Sequence, residues 1–172
     1  KKSNKFIVAY AETISQKGYM MANVADQIYT HPQGGMEWSG FNYETMFFKG
    51  LIDKLEIEPQ IFYAGKFKSA TEPFRYAQMS EANKLQTGIW LNSIYNNFIQ
   101  GAAEMRNLNA DSIKAFANEG KVQNAKDALK YKLVDGLIYD DQLKKIISKK
   151  LRVVDETKIS FVSINNYAES VA

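Results

Sequence analysis

The sequence predicts an α/β fold, because three observations put helices and strands in alternation along the chain. The N-terminal segment reads as a strand, a helix and a second strand within about thirty residues, which is the size of a βαβ unit. Residues 80–106 carry apolar side chains at helical spacing and predict one long helix. Short helical and extended patterns then alternate to the end of the chain.

The N-terminal elements follow from the distribution of apolar side chains. Residues 6–12 are almost continuously apolar and predict a strand that is covered on both faces. Residues 19–25 predict a short, largely buried helix, and residues 26–30 predict a return to extended structure. The proline and glycines of residues 32–35 predict a turn.

The central elements lead to the long helix. Residues 38–41 predict a short strand, residues 43–56 a helix, and residues 60–65 a strand that ends in glycine. The long helix of residues 80–106 begins at Ser80, whose side chain predicts an N-cap.

The C-terminal elements alternate in the same way and support the α/β assignment. We predict a helix over 112–118 with a cap at 109–111 and an end at Gly120, a helix over 125–131, an extended piece over 133–138, a helix over 141–150 and a strand over 159–164.

Composition excludes several classes of protein. The 172 residues are 45% hydrophobic, which is too apolar for an intrinsically disordered chain. A net charge of +3 is too small to indicate nucleic acid as a partner. The absence of cysteine excludes disulfides, thiolate zinc sites and cysteine nucleophiles. No stretch is long and apolar enough to predict a membrane span.

One decapeptide carries most of the chemical information. It follows the predicted strand of residues 60–65 and precedes the long helix, where irregular backbone can present side chains. Its sequence is Gly65-Lys66-Phe67-Lys68-Ser69-Ala70-Thr71-Glu72-Pro73-Phe74. It closely resembles the lysine segment of the signal peptide peptidase A family (protease IV, peptidase family S49). The family pattern Gly-x-x-Lys-Ser-Ala-x-Glu-Pro-Phe is matched throughout, and the resemblance gives Lys68 the role of general base.

The resemblance has implications for the whole protein. The family is bacterial, membrane-anchored through a segment that this chain lacks, and active on signal peptides on the periplasmic side of the inner membrane, without a cofactor or metal. Its fold is that of the Clp protease and crotonase superfamily. Larger members contain a lysine-bearing half followed by a serine-bearing half, and homo-oligomers are expected. Residues 1–140 are then a lysine-bearing domain truncated at its N-terminus, and residues 141–172 a helix and strand leading toward the serine-bearing half.

Two further segments are similar to the superfamily, and one departs from it. Residues 15–34 are similar to the family's strand, helix and strand, and residues 126–135 to its Ala-Leu-x-x-Gly-Leu-Val-Asp segment. In the serine-bearing half the nucleophile lies two residues before a Gly-Tyr pair, a position that Gln16 occupies here. An amide cannot attack a carbonyl, and Ser15 is displaced by one residue. We therefore expect an inactive fragment, with the glycine-rich oxyanion segment preceding residue 1.

The chemistry of lysine explains why the second half matters. A neutral amine can remove the proton of a serine hydroxyl. A free lysine has a pKa of about 10.4, so only about one amine in 2,500 is neutral at pH 7. Desolvation favours the neutral form. We therefore expect Lys68 to act as a base only where the serine-bearing half or a neighbouring subunit covers it.

The neighbours of Lys68 have two interpretations each. Ser69 could orient the amine or cap a turn. Glu72 could anchor the loop through hydrogen bonds, or it could be a solvated or structural carboxylate, and we favour a structural role over a catalytic one.

Other polar clusters have simpler explanations. His31 is the only histidine, and its spacing from acidic residues matches no metal-ligand pattern, so we interpret it as a turn residue before Pro32. The lysines near residues 144–152 could meet anionic lipid or nucleic acid, but they also complement the dipole at a helix C-terminus, which we prefer.

Two alternatives to a peptidase are open. The chain could be a scaffold or oligomerisation module that keeps the fold without catalysis. It could also be an acyl-CoA enzyme of the crotonase type, although that reading gives no reason for the decapeptide around Lys68. The wide apolar surface of residues 80–106 suggests contact with another subunit.

Overall fold

The computed structural model describes residues 4–171, so residues 1–3 and 172 of the expected domains lie outside the described part of the chain. The described helices and strands are β1 (Val8–Ile14), α1 (Gln16–Ala22), β2 (Gln27–Met36), α2 (Lys49–Lys54), α3 (Glu72–Arg75), α4 (Glu81–Arg106), α5 (Ala110–Asn118), α6 (Ala125–Lys130), β3 (Gly136–Leu137), α7 (Asp140–Leu151) and α8 (Ile164–Val171). Short 3-10 helices occupy Ser69–Thr71 and Glu156–Lys158.

The chain forms two compact units. The sheet unit contains the residues up to Trp38 and those from Lys121 onward, and the long-helix unit contains Ser39–Gly120. In the sheet unit, β1, β2 and β3 form a parallel sheet in that order. The parallel pair β1 and β2, joined by α1, confirms the predicted βαβ unit, and the interleaved helices confirm the α/β class.

The predicted turn at residues 32–35 is wrong, because these residues lie inside β2. Ala11 pairs with Thr30 and Thr13 pairs with Gly35, so Glu12 faces four residues of β2. The turn-forming residues therefore make a bulge within the strand. Gly34 permits it, since a Cβ atom there would lie 1.8 Å from the carbonyl oxygen of Glu12.

Three predicted strands are also wrong. Residues 38–41 and 60–65 are irregular, and residues 159–164 lead into α8, which begins at Ile164. A strand needs a neighbour for its backbone hydrogen bonds, and a local pattern does not reveal whether that neighbour exists. Trp38 is instead buried edge-on against Tyr19, with ring centroids 5.1 Å apart, whereas the side chain of Phe62 is 90% exposed.

The helix predictions were more successful. The long helix runs from Glu81 to Arg106, and Ser80 caps it by accepting a hydrogen bond from the backbone N–H of Asn83. Asn109 likewise caps α5. The helix predicted over residues 43–56 is shorter, with only Lys49–Lys54 helical.

Buried hydrogen bonds join α1 and β2 of the sheet unit to the segment before β3. The hydroxyl of Tyr19, which is fully buried, donates to the carbonyl of Leu133 over 2.7 Å. The carboxylate of Asp135 accepts from the backbone N–H of Ile28 at 2.7 Å, and the N–H of Asp135 donates to the carbonyl of Ile28. The Leu-Val-Asp segment therefore has a structural role in this unit.

We predict that Tyr19→Phe lowers the free energy of unfolding by about 1–3 kcal/mol, because the buried carbonyl of Leu133 loses a donor. Urea unfolding measures the change. The matched control is Tyr167→Phe at an exposed tyrosine, which should change stability very little. An equal decrease in the free energy of unfolding in the two variants would contradict this role for Tyr19.

Candidate active site

Lys68 lies at the start of a short helical turn in the long-helix unit. It directly precedes the 3-10 helix Ser69–Thr71, and its side chain is exposed. Its backbone N–H donates to the carbonyl of Gly65 over 3.4 Å. Gly65 has a φ of +93°, a conformation that favours glycine, so the turn before Lys68 depends on that residue.

Ser69 continues the same turn. It is half-buried, and its carbonyl accepts a hydrogen bond from the backbone N–H of Glu72. This backbone bond closes the 3-10 turn directly after Lys68. The proposed orientation of the lysine amine by the Ser69 hydroxyl stays a prediction.

Glu72 is the buried carboxylate of this region, with only 3% of its surface exposed. Its Oε1 accepts from the hydroxyl of Ser80 over 2.5 Å, and its Oε2 accepts from the Ser80 N–H at 3.2 Å and from Nδ2 of Asn83 at 2.8 Å. Glu72 begins α3 and both donors belong to the start of α4. The carboxylate therefore anchors the lysine-bearing segment to the long helix.

The pKa of Glu72 lies below its ordinary value. Burial acts to raise this pKa, but the hydrogen bonds from Ser80 and Asn83, together with the positive charge of Arg75, outweigh burial and lower it. Glu72 is therefore ionised at neutral pH, when it accepts hydrogen bonds most strongly.

Arg75 makes several contacts beside Lys68 that the sequence patterns did not predict. Its guanidinium carbon lies 3.6 Å from the ring centroid of Tyr63 and 4.7 Å from that of Tyr76. Nε donates to the hydroxyl of Thr71 over 3.0 Å, and Nη1 donates to the hydroxyl of Tyr76 over 3.2 Å. The available signal was an arginine three residues after Glu72, with tyrosines on both sides in sequence.

An apolar groove lies beside α3. The rings of Phe48 and Phe74 stack with centroids 5.7 Å apart, and the N–H of Phe48 donates to the carbonyl of Pro73. The cavity has a volume of about 450 Å³ and is lined by Glu44, Thr45, Met46, Phe48, Pro73 and Phe74. Its lining suits an apolar side chain of a ligand.

The turn between β1 and α1, in the sheet unit, contains the two residues considered for the nucleophile. Ser15 is the exposed N-cap of α1, and its Oγ accepts from the N–H of Gly18 over 3.0 Å. Gln16 is buried, and its backbone N–H donates to Glu37 over 3.3 Å. The strand-to-helix turn expected for the family is present, with an amide at the expected nucleophile position.

The structure also shows the surroundings of His31 and of the lysines near residues 144–152, which the sequence did not connect with the lysine motif. His31 lies inside β2, at the bulge, and not in a turn before Pro32, which corrects that expectation. Its Nδ1 accepts a hydrogen bond from the N–H of Gln33. Among residues 4–171, no three histidine or acidic side chains are grouped so that they could hold a metal ion. Lys144 and Lys145 lie 3.6 and 3.5 Å from Asp140 and Asp141, one helical turn away.

Across the described residues 4–171, no helix combines the length and the apolar character that crossing a bilayer requires.

The fold and the lysine turn define an α/β chain of the kind expected for serine-type peptidases with the Clp protease and crotonase fold. The family comparison makes the assignment specific: the model of peptidase family S49 matches residues 1–170, and the chain belongs to this family.

Three relatives illustrate the similarity. Protease 4 of Haemophilus influenzae is 31% identical over 97% of this chain and 28% of its own length. The chloroplastic serine protease SPPA of Arabidopsis thaliana is 27% identical over 98% of this chain and 25% of its own length. Protease 4 of Salmonella typhi is 30% identical over 86% of this chain and 25% of its own length. The chain therefore spans about a quarter of the length of these relatives.

We predict that Glu72→Gln destabilises the protein by about 1–3 kcal/mol at pH 7, because an amide cannot replace the charged acceptor of three hydrogen bonds. The folded-state pKa of Glu72 is lowered, so its stabilisation is complete above the ordinary value of 4.5. It is lost as the pH falls through the lowered pKa. Urea unfolding at several pH values should therefore show the two proteins converging in acid.

The matched control for this measurement is Glu81→Gln. Glu81 lies one residue after Ser80, and its side chain is 89% exposed in a surface pair with Lys84. This variant should follow the wild-type protein across the pH range. A constant difference between Glu72→Gln and wild type from pH 7 to pH 3 would contradict the assignment.

Proposed function

We propose that the protein is a serine–lysine peptidase in which Lys68 is the general base. The observation that carries the proposal is the match of residues 65–74 to the family's lysine segment, on a turn that Glu72 anchors to α4. Membership of peptidase family S49 supports the class of reaction. The same proposal includes the division of the chain into a lysine-bearing domain, residues 1–140, and a segment that leads toward the serine-bearing half, residues 141–172.

The reaction needs a serine hydroxyl that another part of the full-length protein supplies. The neutral Nζ of Lys68 takes the hydroxyl proton while Oγ attacks the carbonyl of the peptide bond. The proton then passes to the departing amine, and an ester to the serine is left. Water, deprotonated by the same lysine, hydrolyses the ester and regenerates both groups.

The environment of Lys68 has to change for this chemistry. The side chain is exposed in this chain, whereas a dry environment is what favours the neutral form of a lysine. We propose that the serine-bearing half or a neighbouring subunit covers Lys68 and thereby favours the neutral form. Ser69 would then orient the amine, and Glu72 would hold the turn without touching the substrate.

The proposed substrates are cleaved signal peptides and other short apolar peptides. The groove lined by Phe48 and Phe74 supports this choice, since it also includes Pro73, five residues after Lys68, and is lined mainly by apolar groups. The names Protease 4 and SPPA, which the relatives carry, agree with a peptidase. We propose a location in the bacterial cell envelope, with an anchor outside this chain, the domain on the periplasmic side, and no cofactor or metal.

The alternative is a scaffold or oligomerisation module of the same fold. It is favoured by one observation, the glutamine at position 16 in place of a nucleophile. The two functions differ in what they require of Lys68, because a scaffold has no use for a basic amine at that turn.

We expect Lys68→Ala in the full-length protein to lower kcat/KM for a signal peptide by about 10²- to 10⁴-fold, the usual contribution of a general base. The matched control is Lys66→Ala, which removes an exposed lysine two residues away and should retain activity. Retention of activity in Lys68→Ala would refute the peptidase role and favour the scaffold.

A homo-oligomer is the second part of the proposal. Leu85, Ile89 and Trp90 on α4 are 59%, 64% and 52% exposed, an unusual amount of apolar surface on one helix. We expect Ile89→Glu to shift the full-length protein toward smaller species in sedimentation velocity, whereas Glu104→Gln, at an exposed polar site about four turns beyond Trp90 on the same helix, should not. An unchanged distribution for Ile89→Glu would exclude this face as an interface.

A further inference from the structure

The segment that carries Lys68 has little regular backbone structure. Residues 55–68 are neither helix nor strand, and the helices that follow, Ser69–Thr71 and Glu72–Arg75, have three and four residues. Helices this short are not stable by themselves. The position of Lys68 therefore depends on side chains that tie the segment to its surroundings.

Glu72 provides one such tie, on the side of α4, and Arg75 provides another. The guanidinium of Arg75 lies on the ring of Tyr63, five residues before Lys68, and its Nε–H donates to Thr71, three residues after it. Arg75 consequently joins the chain that enters the lysine turn to the chain that leaves it. No other hydrogen bond or ring contact described for residues 60–76 joins the two sides of Lys68 through a charged side chain.

The chemistry of arginine suits this position. A planar guanidinium can stack on aromatic rings while its edge donates hydrogen bonds in fixed directions. Here the guanidinium carbon lies 3.6 Å from the ring centroid of Tyr63 and 4.7 Å from that of Tyr76, and its N–H groups reach the hydroxyls of Thr71 and Tyr76. Lysine would keep the positive charge, but it would lose the stacked face and the directed donors.

We infer that Arg75 is a positioning residue for the general base: its stack on Tyr63 and its bond to Thr71 hold both sides of the Lys68 turn in the geometry that catalysis needs. The inference rests on the proposed role of Lys68. Arg75 does not touch the reacting atoms. Loss of its contacts leaves substrate binding intact and moves the amine, and a displacement of about 1 Å can lower a rate by about 10²-fold.

The experiment uses the full-length protein with a signal-peptide substrate and four variants: Arg75→Lys, Tyr63→Phe, Tyr63→Leu and Lys68→Ala. We expect Arg75→Lys and Tyr63→Leu to lower kcat by about 10- to 100-fold with KM unchanged. Tyr63→Phe keeps the aromatic ring and should retain the wild-type kcat. A purely structural role would not produce this separation of kcat from KM, or the rescue by phenylalanine.

A second measurement is independent of catalysis. Hydrogen–deuterium exchange over residues 65–76 should be faster in Arg75→Lys and Tyr63→Leu, and unchanged in Tyr63→Phe. Arg75→Lys and Tyr63→Leu each replace a side chain that is not fully buried, and circular dichroism verifies that the two variants fold. If one of them does not fold, the other carries the test.

The outcomes separate the two proposals. Wild-type kcat in Arg75→Lys, with Lys68→Ala inactive, overturns the positioning role of Arg75 and leaves the general base intact. Faster exchange without a loss of kcat overturns it as well, since Arg75 would then order the loop with no effect on the base. An active Lys68→Ala overturns the peptidase proposal first, and the positioning role with it.

Discussion

The hydrogen bonds between Glu72 and the first turn of α4 determine where the lysine-bearing segment lies in the long-helix unit. This segment has no sheet or long helix of its own, whereas α4 extends over 26 residues and provides a rigid element. The carboxylate accepts three hydrogen bonds, from the backbone N–H and the hydroxyl of Ser80 and from the side-chain amide of Asn83. The N–H of Ser80 is available because a helix leaves the N–H groups at its start without partners inside the helix. The lysine motif and the start of α4 are therefore one structural feature, although they look separate in the sequence.

The electrostatics of this anchor explain why a buried carboxylate is tolerated there. Burial of a charge is costly unless hydrogen bonds and opposite charge compensate it. Glu72 lies at the N-terminus of α4, where the helix dipole is positive, and near the guanidinium of Arg75. The same arginine is held by Tyr63 and Thr71, so one cation serves both the carboxylate and the loop.

The parts of the fold that depend on local chemistry could be predicted from the sequence. Ser80 and Asn109 mark helix starts because a cap acts within three residues of itself, and the βαβ unit follows from a local apolar pattern. The strand predicted at residues 60–65 failed because a strand depends on a distant partner. The candidate site divides in the same way. The decapeptide identified Lys68 and Glu72, but the contact between Arg75 and Tyr63 joins residues twelve apart across an irregular stretch and two short helices, which no periodicity describes.

The bulge in β2 has a consequence for how the sheet reaches its native alignment. A slip of one residue that brought Gln33 over the carbonyl of Glu12 would force a side chain into space that admits only hydrogen, as the 1.8 Å distance at Gly34 demonstrates. A slip in the other direction would bring in Gly35 and avoid the clash, but it would turn the buried Ile28 and Met36 to the opposite face of the sheet. Steric exclusion on one side and hydrophobic cost on the other thus disfavour both one-residue slips of β1 against β2.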